Sequence, residues 1–331
     1  MNRITVYGAG AWGTALALTL EKKGIVTLLA RREDHAHWMR ESRTNEHYLP
    51  GCLLPNSIQI TADKSVLAHT DILLWVIPTQ NTAFELEHLP PLLPSHVPIV
   101  ICSKGIVVNQ EGPSVFLTNI MAERVQNPLA VLSGPNFAME IGRGLPAAAT
   151  LAAFDGELAE NLAYQLRHEN FRIYASSDPI GVQVAGAIKN VLAIGCGIVM
   201  GKNLGLNANA ALITRGLAEM RRLGVALGAS VETFLGLSSV GDLILTCSSE
   251  QSRNTSLGMA LAQGNTLEDI LSQRITVSEG VYTAKAVHHI AKALSVPMPI
   301  CEGVYSILYE AHPLDTVIQS ILAKQTNLEV F

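Results

Sequence analysis

The chain has 331 residues, 48% hydrophobic and 15% charged, longer than a single hydrophobic core usually supports, so two domains with a core each are expected. That apolar content excludes intrinsic disorder. The formal charge of -5, from 23 Lys+Arg against 28 Asp+Glu, gives no electrostatic drive toward nucleic acid, so any cation that matters must act locally.

The opening "MNRITVYGAG" has no basic region, apolar run or small-residue cleavage site, so no secretory signal is expected. Cys52, Cys102, Cys196, Cys247 and Cys301 lie far apart and never as CxxC. An odd set of separated thiols suits a reducing compartment, and a cytoplasmic location is expected.

The first predicted strand, "ITVY" at 4–7, runs into "GAGAWG" at 8–13 and then into an amphipathic helix. In a dinucleotide fingerprint Gly8 would make the tight turn, Gly10 would let the backbone approach the pyrophosphate, and Gly13 would let the helix pack on the sheet. The phosphates would lie at the N-terminus of the helix beginning near Ala11, where unpaired N–H groups point outward. A second strand, "IVTLLA", ends at Arg31-Arg32, where an NAD-selective site places an acidic residue. Two guanidiniums there would pair with a ribose 2′-phosphate, so NADP(H) is favoured over NAD(H). If the strand ends two residues later, Glu33 or Asp34 takes the ribose instead.

Further strand signals at "DILLWVIP", "PIVIC", "LAVL", "AAATLAA" and "FRIYAS" alternate with helical stretches such as "EDHAHWMRESR" and "NTAFELEHL". Strands apolar on both faces between helices imply a parallel sheet, the doubly wound α/β fold of Rossmann type. After "SSDP" at 176–179 the composition turns helical. The expected domains are therefore 1–178, binding the dinucleotide, and 179–331, an all-helical substrate domain.

In a doubly wound sheet the substrate lies beyond the carboxyl ends of the strands. Three polar groups follow apolar runs there: Pro78-Thr79-Gln80, Ser103-Lys104-Gly105 and Ser133-Gly134-Pro135-Asn136. Lys104 is the only charged one. The stretch "IGVQVAGAIKNVLAIGCGIVMG" at 180–201 is long and apolar enough to span a membrane. Lys189 and Asn190 at its middle point instead to the central helix of the second domain.

A lysine in that setting either reaches solvent along its stem or faces a polar cleft. Burial lowers its pKa and makes it a proton acceptor near neutral pH. No histidine occurs between His168 and His288, so lysine is the expected base. His35, His37, His288 and His289 lack the cysteine or carboxylate company of a metal site. Asp242 in "GDLILTC" precedes an apolar run, and Arg253 between Ser252 and Asn254 has the donors needed to hold a phosphate or carboxylate.

The segments "GAGAWGTALA", "CSKG", "SGPNFAMEI", "GAIKNVLAIGCG", "NANAALITRGLAEM", "GDLILTC" and "QSRN", in that order, resemble the bacterial NAD(P)-dependent sn-glycerol-3-phosphate dehydrogenases from about residue 4 to beyond 310. The resemblance implies reversible reduction of dihydroxyacetone phosphate to sn-glycerol 3-phosphate, the backbone precursor of phospholipids, by a homodimer. It implies that Lys189 accepts the proton during oxidation and that Lys104, Gly134, Asn136, Asp242, Ser252, Arg253 and Asn254 surround the substrate. It further implies cofactor contacts at Ala11, Trp12, Arg31, Arg32, Lys104, Ala138, Arg253, Val277 and Glu279. Ala138, Val277 and Glu279 come from the resemblance alone.

Two departures stand out: Asn136 replaces the usual Ser or Thr, and Ala11 a common serine. An amide can replace a hydroxyl as donor, so altered affinity is expected rather than a different reaction. The alternative is a β-hydroxyacid dehydrogenase of the same architecture, which would also use a lysine in its helical domain. A non-catalytic NADP sensor would need neither Lys189 nor Lys104.

Overall fold

Strand β1 (Asn2–Tyr7) is buried over its last four residues, as only a strand covered on both faces can be. It pairs in parallel with β2 (Gly24–Leu29), and β2 with β3 (Gln59–Thr61). On its other side it pairs with β4 (Ile72–Trp75). Outward from β4 lie β5 (Ile99–Ile101), β6 (Leu129–Ser133), β7 (Ala147–Ala152) and β8 (Phe171–Ser176), giving the eight-stranded order β8-β7-β6-β5-β4-β1-β2-β3. The computed structural model describes residues 2–108, 114–273 and 278–323.

Contacts divide the chain into two compact units: Met1–Ser103 with Leu117–Pro179, and Lys104–Phe116 with Ile180–Phe331. The first is the mostly parallel sheet with its helices. Its core joins Ile4, Val6, Val26, Leu28, Leu74, Val100 and Leu132 from the strands to Leu16, Leu20 and Met39 from the helices Ala11–Leu20 and Glu33–Ser42.

Two features depart from the sequence reading. The sheet is not parallel throughout, because β7 pairs antiparallel to β6. The link between them carries only the five-residue helix Ala138–Gly142, and the chain turns back beside the strand it left. From β7 the helix Gly156–Leu166 makes an ordinary crossover to a parallel β8. Strand β3 carries no clear signal in the sequence; it has three residues, of which only Ile60 is buried.

A single cut at 178/179 also does not describe how the chain divides. Residues 104–116 belong to the second unit, where the antiparallel hairpin Ile106–Val107 with Val115–Phe116 inserts Ile106 and Phe116 into the second core. Apart from that hairpin the regular elements of the second unit, among the described residues, are helices. Its axis is the helix Pro179–Gly201, buried continuously from residue 181 to 199.

Small residues let other helices close on it. A Cβ on Gly197 would lie 2.0 Å from Thr255 O, and one on Gly258 would lie 2.1 Å from Ile194 O. The helices Pro179–Gly201 and Arg253–Ala262 therefore touch backbone to backbone. Of the most apolar 18-residue window of the long helix, 89% is buried inside the protein, so its apolar surface is spent on core packing. All five cysteines are buried and free.

Candidate active site

The glycines of "GAGAWG" each have a distinct local reason. Gly8 sits at φ +123°, and a Cβ there would meet Val76 O at 2.6 Å. A Cβ on Gly13 would lie 1.8 Å from Gly8 O, so the helix Ala11–Leu20 approaches the turn as closely as only glycine allows. Gly10 is different, because a Cβ there would meet nothing within 4 Å. It is the N-cap of the helix and offers no side-chain cap, leaving an open helix N-terminus of the kind that binds phosphate.

Trp12, in the first turn, has a buried Nε1 with no hydrogen-bond partner among the described residues. An open glycine beside a helix N-terminus and an unsatisfied indole donor fit a dinucleotide. The helix beginning at Ala138 packs on the same helix, with Ala138, Ala11 and Trp12 at the edge of one apolar cluster.

Arg31 and Arg32 follow β2 after Ala30 and are exposed. Arg32 pairs with Asp34 at 3.1 Å, and Glu33 pairs with Arg40 at 2.5 Å. Both acidic residues thus lie in the first turn of the helix Glu33–Ser42. Elsewhere in this unit Gly134 permits close passage of β7, since a Cβ would lie 2.8 Å from Ala148 O. The Asn136 amide, oriented to satisfy its neighbours, donates to Pro135 O at 3.0 Å and Ala148 O at 3.3 Å.

The second unit holds the charged cluster. Lys189, at the middle of the long helix, is 7% exposed, and its Nζ donates to Asp242 Oδ1 at 2.6 Å and Thr246 Oγ1 at 2.8 Å. It does not snorkel to the surface. Asp242, 1% exposed, also accepts Lys104 Nζ on Oδ2 at 2.8 Å. A π-helical turn, Leu237–Gly241, leads into the short helix Asp242–Cys247 and aims the carboxylate at both lysines.

Burial pushes the Lys189 ammonium down to about 8; Asp242 opposes the shift and Lys104 adds to it. Two ammoniums share one carboxylate, so the cluster favours an electron-rich oxygen nearby and one lysine that gives up its proton readily.

Two asparagine amides lie beside this cluster. Asn190 Nδ2 donates to Lys104 O at 3.1 Å, and Asn190 Oδ1 accepts from Asn254 Nδ2 at 2.9 Å. Asn254 Oδ1 in turn accepts from Gly280 N at 3.2 Å. Ser252 is the N-cap of the helix Arg253–Ala262, its oxygen accepting from Thr255 N. Arg253 keeps contact with solvent, yet partial desolvation lowers its guanidinium pKa against the opposing pull of Glu279. Arg253 and Glu279 are therefore electrostatic neighbours. Val277 lies outside the described residues.

Residues 3–159 match the family model for the NAD-dependent glycerol-3-phosphate dehydrogenase N-terminus, and residues 178–319 match that for its C-terminus. The chain belongs to the NAD-dependent glycerol-3-phosphate dehydrogenase family. Among glycerol-3-phosphate dehydrogenases [NAD(P)+], it is 47% identical to that of Parvibaculum lavamentivorans over 99% of this chain and 98% of the relative. It is 46% identical to that of Caulobacter vibrioides over 99% of both. The crystal structure of glycerol-3-phosphate dehydrogenase from Coxiella burnetii superposes with a TM-score of 0.92 at 36% identity, over 98% of this chain and 99% of that one. These likenesses do not favour the β-hydroxyacid alternative.

Within this member of the glycerol-3-phosphate dehydrogenase family, Lys104, Lys189 and Asp242, each singled out in the sequence, meet around one carboxylate. Thr246 joins them, and the sequence carries a signal for it, because it lies four residues after Asp242 and so on the same helical face. Asn190 reads in the sequence only as a polar break in an apolar helix, and nothing local ties it to Lys104 or Asn254.

Proposed function

We propose that the protein interconverts dihydroxyacetone phosphate and sn-glycerol 3-phosphate with a nicotinamide dinucleotide, NADP(H) in preference to NAD(H), and that it supplies glycerol phosphate for phospholipid synthesis. The buried Lys189–Asp242–Lys104 cluster carries the reading. When bound, the nicotinamide would accept the hydride that leaves C2 and return it in the reverse direction.

In the oxidation direction Lys189 Nζ, as the neutral amine, takes the proton of the C2 hydroxyl while the hydride leaves C2. Lys104 polarises the same oxygen, and its positive charge stabilises the alkoxide character that develops there. Asp242 holds both amines in place, and Thr246 accepts a hydrogen bond from Lys189. In the reduction direction the protonated Lys189 returns its proton to the carbonyl oxygen.

Arg253, with Asn254 and Ser252 at the N-terminus of the helix Arg253–Ala262, holds the substrate phosphate; the helix end and the guanidinium are both suited to a dianion. Gly134 and Asn136 complete the substrate contacts, and Glu279 and Val277 belong to the cofactor side. On the nucleotide, Gly8, Gly10 and Gly13 shape the turn, Ala11, Trp12 and Ala138 line it, and Arg31 with Arg32 pairs with the 2′-phosphate. A substrate held at its phosphate and at its reacting oxygen needs no further orientational search.

The protein acts in the cytoplasm as a homodimer on this reading; the free thiols agree with a reducing compartment. An NADPH-oxidation assay comparing dihydroxyacetone phosphate with small ketoacids tests the assignment. Turnover of ketoacids alone would remove it.

A further inference from the structure

We propose that Asn45 is a positioning residue for the nucleotide: it orients the Ala9–Gly10 peptide so that the Gly10 N–H is presented to a bound pyrophosphate. This rests on the dinucleotide reading above. Asn45 is fully buried, and both hydrogens of its amide nitrogen are engaged, one by Ala9 O at 3.0 Å and one by Thr14 Oγ1 at 2.7 Å. Its oxygen faces His35 Nε2 at 3.1 Å, which fixes which way the amide is turned.

Ala9 lies inside the glycine turn and Thr14 in the first turn of the following helix. One side chain, 36 residues away from Ala9 along the chain, therefore clamps both. None of the described peptide bonds is cis, and in a trans peptide the C=O and the following N–H point to opposite sides. Drawing Ala9 O inward onto Asn45 sends the Gly10 N–H outward. A Cβ on Gly10 would meet nothing within 4 Å and the residue is only half-buried, which leaves room beside the turn for a ligand oxygen.

A hydrophobic residue of similar size would leave Ala9 O and Thr14 Oγ1 buried without this donor.

Binding of NADPH and of 2′-AMP, which lacks the pyrophosphate, tests the role in wild type, Asn45→Ala and the nearly isosteric Asn45→Asp. The expected result is a rise of about tenfold in the Kd and KM for NADPH, the loss of about one buried hydrogen bond, with most of the kinetic effect in KM rather than kcat. The Kd for 2′-AMP should move less than about twofold. Unchanged NADPH binding, or an equal loss for both ligands, overturns the proposal.

Should neither variant fold, the wild-type protein still decides: its Gly10 amide resonance must shift when NADPH is added but not when 2′-AMP is. An unmoved resonance likewise overturns the proposal. If wild type binds no NADPH at all, the dinucleotide reading itself fails, which is a different outcome.

Discussion

Lys189 donates to Asp242 Oδ1 at 2.6 Å while the other oxygen of that carboxylate holds Lys104 at 2.8 Å. The sharing has an energetic consequence. A single buried ion pair would hold Lys189 protonated, whereas a carboxylate divided between two ammoniums lets burial win and leaves the amine able to exchange a proton near neutral pH. The same arrangement keeps Asp242 compensated when Lys189 is neutral.

Lys189→Met follows from that sharing. Asp242 retains Lys104 and Thr246, and the methionine fills the apolar helix position. The variant should fold with a melting temperature close to wild type and bind NADPH normally, yet lose about 10²- to 10⁴-fold in kcat, the usual worth of general acid–base catalysis. Calorimetry beside steady-state kinetics checks it; near-normal turnover would dismiss Lys189 as the base.

The pH dependence has a definite sign. With Lys189 at about 8, oxidation needs the neutral amine, so its kcat should rise with pH and level off above that value. Reduction needs the ammonium and should decline across the same interval. Lys104→Met removes a charge that lowers the Lys189 pKa, so the midpoint should move up. Asp242→Asn removes one that raises it, so the midpoint should move down. Midpoints shifting the opposite way would refute this electrostatic account.

Gly10 and Gly13 should respond differently to the same methyl group. Gly13→Ala places a Cβ 1.8 Å from Gly8 O, and the turn must open or the helix must shift. A loss of about 3 kcal/mol or more in stability is expected, in the upper range for overpacked sites. Gly10→Ala meets nothing, so it should melt within a few degrees of wild type while weakening NADPH at least about tenfold by crowding the pyrophosphate. Denaturation curves paired with nucleotide titrations separate the two; a Gly10→Ala variant with full affinity would place the pyrophosphate elsewhere.

Cofactor preference should depend on Arg31 and Arg32. Each charge-assisted bond to a phosphate is worth about 1.5–3 kcal/mol. Replacing both with alanine should lower kcat/KM for NADPH about 10²-fold or more and change that for NADH by only a few-fold. Initial rates with the two nucleotides give the answer directly, and equal losses with both would count against a 2′-phosphate contact.

Away from the site, Glu219 sets a stability trend of unusual direction. It is 2% exposed and accepts Ile300 N at 2.7 Å and Cys301 N at 3.1 Å, at the start of the helix Pro299–Tyr309. Burial raises its pKa from 4.5 to about 7 despite those two bonds. The folded protein holds this proton more tightly than the unfolded chain, so the contribution is complete below 4.5 and is lost as pH rises to about 7. Wild type should lose several degrees of melting temperature over that window. Glu219→Gln should flatten the slope while lowering stability throughout, because its NH₂ faces the Cys301 N–H. An unchanged slope would show that Glu219 does not titrate there.

Much of the architecture was legible in the chain because it is local. The glycine turn announces itself by spacing, the strands by their β-branched runs, and Lys189 by standing in an apolar helix. The reversal of β7 was not legible, since its composition matches that of a parallel strand and only the path of the preceding link sets its direction. The hairpin strands Ile106–Val107 and Val115–Phe116 likewise look like loop, and only the burial of Ile106 and Phe116 among helical residues assigns them to the second core.

By itself the sequence determined that this protein has a nucleotide-type turn and a solitary lysine within a buried helix, because both are patterns of neighbouring residues that backbone geometry reads within a few positions. Tertiary structure alone decided that Asp242 stands between Lys104 and Lys189, 138 and 53 residues away along the chain, and that Asn45 clamps the glycine turn. Such contacts depend on how whole helices and strands close on one another. No local periodicity specifies that, yet it is this closure that sets the charge balance around the amine.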